Sequence, residues 1–186
     1  MSERRAFRVL ERAAIVVASF AIAIPLIAVF SGGLLAGRDQ AGITGSSSGL
    51  GQSFRDLGHA HLAPGRPVPR YDSDPPTSGA HVPVAVGRQG TVLSDDEILQ
   101  ALEVGDVVLL YASRRTPPGL LALSQRVAAP FSPALVAAGQ AVVLGRRRGI
   151  AGVVALAWTR RLQVRAPTDP ALLSFVQSYL GQGAKH

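Results

Sequence analysis

The chain has 186 residues, 47% hydrophobic and 17% charged, with a net charge of +7 and no cysteine. That balance is too apolar for a disordered chain, and the absence of cysteine excludes disulfides, thiolate zinc sites, iron–sulfur clusters and cysteine-linked haem. The positive charge is nearly all arginine, Lys185 being the sole lysine; with aromatics at 5% and no long basic run, nucleic acid is not an expected partner.

No charged residue occurs from Ala13 to Gly37, and Ala13–Phe30 is the most apolar part. A helix over this stretch can cross a hydrocarbon core of about 30 Å. Pro25 would kink it, which membrane helices tolerate. Arg4, Arg5, Arg8 and Arg12 precede the stretch, while Arg38 and Asp39 cancel after it. The positive-inside rule then puts the N-terminus in the cytoplasm and the rest outside. Phe30 and Leu34 spoil a small-residue cleavage site, so residues 1–37 are read as an uncleaved single-pass anchor in the bacterial inner (cytoplasmic) membrane rather than as a signal peptide.

Residues 38–57 read as a flexible linker, with the glycine/serine run Gly42–Gln52 at its centre. Gly45–Gly49 is formally a G-x-S-x-G, but flexible sequence on both sides rules out a nucleophile elbow. Residues 58–186 form the expected extracytoplasmic domain. Leu62–Pro83 is proline-rich and irregular. Ser94 caps a helix over Asp95–Glu103, with Glu97 at the capping-box position and Gly105 at its end. Asp106–Ala112 is a buried strand and Pro118–Val127 a helix. Gln140–Leu144, Ile150–Trp158 and Arg161–Arg165 are strand candidates, and Arg146–Gly149 a turn. Ala171–Leu180 is a final amphipathic helix. The fold class is α+β: a transmembrane helix plus a small sheet with helices packed on it, resembling half of a thioredoxin-like layout.

The most distinctive residues are Gly58-His59-Ala60-His61 and Tyr71 to His81, including Pro75-Pro76-Thr77-Ser78-Gly79. Here the chain resembles a bacterial family of membrane-anchored proteins known as domain of unknown function 3105. Its pattern is G-x-x-H, then Y-x-x-x-P-P-T-S-G-P-H, a helix ending H-x-L-E-H-G, a V-V-x-x-Y strand and a late A-W. Gly58, His61, Tyr71, Pro75–Gly79, His81, Leu102, Glu103, Gly105, Val107, Val108, Tyr111, Ala157 and Trp158 match. Gln100 and Val104 stand where the family's helix has histidines, and Ala80 replaces a proline. The resemblance implies no established activity.

Three histidines are candidate metal ligands. His59 and His61, two apart, point the same way in extended chain, and His81 closes the motif. Loop histidines are also commonly just solvated or hydrogen-bonded, so no cofactor is expected, with copper or zinc as the alternative. Glu103 is either a general base or a cap or arginine partner. Pro75, Pro76, Thr77, Ser78 and Gly79 either form a docking motif or fix a turn. Arg146, Arg147 and Arg148 either contact anionic lipid or an acidic partner, or form a solvated turn. A hydrolase using Ser78, His81 and Asp74 is a third reading. The expected role is a non-enzymatic accessory domain that docks on a membrane protein, with the lipid bilayer as its other contact.

Overall fold

A computed structural model describes residues 49–67 and 69–185. The expected anchor, residues 1–37, and the first part of the linker lie outside these residues. Among those described, no helix is long and apolar enough to cross a membrane.

The first strand, β1, is Gln52–Ser53, inside the stretch read as linker. It pairs antiparallel with a late strand, Gln52 opposite Arg161 and Ser53 opposite Arg160. The linker therefore ends before Gln52: backbone pairing, which composition cannot signal, draws these polar residues into the sheet.

The described residues between 54 and 93 form a long arm with no helix and only isolated bridges. Helix α1, Asp95–Val104, follows. The Ser94 side chain accepts from the Glu97 backbone N–H, and the Glu97 carboxylate accepts from the Ser94 N–H at 2.9 Å. The reciprocal pair satisfies two amide donors of the first turn. Gly105 ends the helix at φ 113°, a conformation that favours glycine.

The remaining elements are β2 Val107–Tyr111, α2 Pro118–Val127, α3 Pro133–Ala137, β3 Val142–Arg146, β4 Val153–Ala157, β5 Arg160–Val164 and α4 Pro170–Tyr179. The order across the sheet is β1-β5-β4-β2-β3. Only β2 and β3 are parallel, joined by a crossover through α2 and α3. The other pairs are antiparallel. The described fold is thus α+β, a five-stranded mixed sheet with four helices.

β2 and β4 are buried along their whole length. Such strands need cover on both faces. Val108, Leu110, Val143, Val154 and Leu156 pack on one face with Ile98 and Leu102 of α1 and Val136 of α3. Val107, Leu109, Leu144, Val153 and Ala155 pack on the other with Leu120 of α2 and Leu172 and Phe175 of α4. The period-2 alternation sorts consecutive side chains to opposite cores.

The expected strand ends shift by one to three residues, β3 starting at Val142 and β4 at Val153. Arg146 belongs to β3, where its N–H donates to Thr91 O at 2.7 Å, so the turn starts one residue later. Trp158 leaves the strand, because Ala157 pairs with Arg160 and only Trp158 and Thr159 remain to reverse the chain. Helix α3 is additional to the elements expected from the sequence, a single short turn behind Ser132 and Pro133.

Candidate functional site

The site forms where the arm folds back on itself against α1. His61 and His81 pair across an isolated parallel bridge. The Leu62 N–H donates to His81 O at 2.8 Å, and the His81 N–H to Ala60 O at 3.1 Å. Paired residues of a parallel ladder point to the same side. The two imidazoles accordingly meet edge to face, their centroids 5.4 Å apart.

Glu103, in the last turn of α1, reaches both rings. Its Oε2 lies 2.9 Å from His61 Nε2 and 3.2 Å from His81 Nε2. Glu103 is 7% exposed and His81 fully buried, whereas the His61 side chain is 49% exposed. One ligand atom from each residue lies within 4.8 Å of the other two, so the three can hold a metal ion.

Hydrogen bonding fixes the His81 tautomer. Nδ1 lies 3.0 Å from Gly79 O, and a carbonyl only accepts, so Nδ1 carries the proton. In the neutral ring Nε2 then presents a lone pair. That atom is buried and makes no hydrogen bond, although the Glu103 carboxylate is 3.2 Å away. Two lone pairs at that distance repel, so the contact calls for a proton or a cation between them.

The proline-rich motif builds the scaffold beneath the rings. Pro75, Pro76, Thr77, Ser78 and Gly79 are all buried. Ser78 Oγ donates to Arg55 O and accepts from the Leu57 N–H, both at 3.1 Å. Thr77 O accepts from the Thr159 N–H at 2.9 Å, tying the motif to the β4–β5 turn. Gly79 has φ 130°, and a Cβ there would stand 2.9 Å from the Tyr71 ring. Tyr71 in turn donates its hydroxyl to Ala80 O at 3.0 Å. Burial first, then the charges of Asp96 and Asp95, raise the Tyr71 pKa above its ordinary value, so the hydroxyl remains a donor.

The other sequence candidates fall elsewhere. His59 stands edge-on to Trp158, with centroids 6.3 Å apart, and is outside the cluster. Trp158 Nε1–H donates to Asp56 Oδ2 at 3.1 Å. Arg147 bridges Asp74 at 2.6 Å and Asp95 at 2.5 Å. Burial alone would lower its pKa, but Asp95 and then Asp74 outweigh that and raise it. Arg148 is exposed, while Arg146 is half-buried. The hydrolase set does not converge: Ser78 is bonded to backbone, Asp74 to Arg147, and His81 faces Gly79 and Glu103. Glu103 pairs with histidines rather than an arginine. Its signal in the sequence is a carboxylate four residues after Leu99, on the apolar stripe of a short helix.

A profile of the family described as Protein of unknown function (DUF3105) matches residues 61–186. The chain belongs to this family. No curated protein and no solved structure matches it. The DUF3105 match begins at His61 and includes His81 and Glu103, so the whole cluster lies within the family's span.

Proposed function

We propose that this DUF3105 domain binds a divalent transition metal ion, zinc or copper(II), through His61, His81 and Glu103. The observation that carries this is the fully buried His81, whose unpartnered Nε2 faces a carboxylate. Two atoms sharing one ion at bond lengths of about 2.0–2.2 Å lie about 3.0–3.5 Å apart. The 3.2 Å His81 contact falls within that span; the 2.9 Å His61 contact, just below it, is a hydrogen bond to Glu103 that a shared ion would replace. The His81 Nδ1–H bond to Gly79 O is the kind of outer contact that orients a ligating imidazole. Two imidazoles and a carboxylate suit zinc and copper(II). With no cysteine and Met1 the sole methionine, the soft donors that select copper(I) are lacking. The exposed side of His61 gives the ion a way in.

The domain is held outside the cytoplasmic membrane by the apolar run Ala13–Phe30; the arginines before that run support this placement. The β2–β3 crossover, the β4–β5 hairpin and α4 are consistent with a thioredoxin-like half, but without cysteine it has no dithiol chemistry. Docking on a membrane partner has less support. The Pro75–Gly79 motif is buried, and Arg147 is engaged with Asp74 and Asp95.

The deciding experiment strips the full-length protein with a chelator and titrates it with Zn2+ and Cu2+. One ion per chain is expected, with binding lost in His81→Ala and Glu103→Gln. Absence of binding, or binding that survives both changes, overturns the proposal.

A further inference from the structure

We infer that Gln100 supplies a fourth donor to this site, its amide oxygen joining His61, His81 and Glu103 in a set of two nitrogens and two oxygens. The inference rests on the metal reading above. Asp96, Gln100 and Glu103 occupy positions i, i+4 and i+7 of α1 and so share one stripe of the helix. Both ends of that stripe touch the arm at consecutive residues. Asp96 Oδ1 accepts from the Val82 N–H at 2.9 Å, and Glu103 Oε2 meets His81 and His61. Helical spacing puts Gln100 between them on that stripe.

Its Oε1 is buried and accepts no hydrogen bond. The helix thus presents a second unpartnered buried polar atom on the same seam as His81 Nε2. An amide oxygen has only lone pairs to offer, so it needs a donor or a cation. Residues three apart on a helix do serve one metal centre, as glutamate and histidine do in helical-bundle carboxylate sites. Amide oxygens also occur as weak axial ligands to copper. A weak fourth donor beside two imidazoles and a carboxylate is the role Gln100 fills.

The test measures Zn2+ affinity of full-length wild type, Gln100→Ala and Gln100→Glu by competition with a chromophoric chelator. The visible spectrum of each Co2+-loaded protein is recorded alongside. Loss of a weak donor should weaken Zn2+ binding about tenfold in Gln100→Ala, and the charged oxygen of Gln100→Glu should tighten it about tenfold, within the range that groups around a metal contribute. The Co2+ bands should shift in both variants at saturating metal. Gln100→Glu keeps the side chain's shape, so it decides the matter even where Gln100→Ala fails to fold. Wild-type affinity and spectrum in the folded variants, with binding still lost in His81→Ala, would overturn the role of Gln100 and leave the metal site standing. No metal binding by the wild type would overturn both.

Discussion

His61 and His81, twenty positions apart in the chain, are brought ring to ring by one parallel bridge. They are not equivalent. His81 is fully buried and bonded to Gly79 O, whereas His61 sits half in solvent. In metal-free protein, His81→Ala should therefore lower stability by about 1–3 kcal/mol, the range for orphaning a buried polar partner. His61→Ala should stay within about 1 kcal/mol, as exposed pairs do. Both should lose metal binding. Urea denaturation of the two variants checks this, and equal destabilisation would contradict the asymmetry.

Ser78 is expected to act as a staple. Its hydroxyl both donates to Arg55 O and accepts from the Leu57 N–H. Ser78→Ala leaves two backbone groups without that partner and should destabilise by about 1–3 kcal/mol. A thermal melt within a degree of wild type would remove the staple role. Gly79→Ala should be at least as damaging, because it meets the Tyr71 ring at a φ of 130°.

Asp106 should make stability fall as pH rises. It is 1% exposed; its Oδ1 accepts from the Ala141 N–H at 2.7 Å, and its Oδ2 has no partner. Burial pushes its pKa from 3.8 to about 7, against the Ala141 bond that lowers it. Between those two values the folded state holds a proton that the unfolded chain has released. The protein therefore gains its full contribution from Asp106 below about pH 4 and loses it as pH passes about 7. The slope is at most about 1.4 kcal/mol per pH unit. Asp106→Asn keeps an acceptor for Ala141 and should flatten this part of the profile. Denaturation midpoints from pH 4.5 to 7.5 test it; an unchanged slope in the variant would refute the assignment.

The proposed topology rests on the arginines at positions 4, 5, 8 and 12. A C-terminal reporter that works only in the cytoplasm should be silent. Activity of that reporter would place the domain on the other side of the membrane.

The local elements were legible because their signals are local. Ser94 and Glu97 fix the start of α1, Gly105 its end, and the apolar runs at residues 107–111 and 153–157 mark the central strands. The sequence also exposed the P-P-T-S-G-x-H motif and with it the family. It could not show that Gln52 and Ser53 pair with β5, since backbone pairing leaves no trace in polar side chains. Only His61 fits the family's G-x-x-H pattern, but spacing by itself could not select His61 over His59 as a ligand. In extended chain the two are equivalent by spacing, and only the packing of the arm on α1 and on the β4–β5 turn sends one ring to Glu103 and the other to Trp158. Glu103 itself lies 22 residues beyond His81, and burial against two histidines is a property of the assembled arm and helix, decided by long-range packing rather than by local sequence.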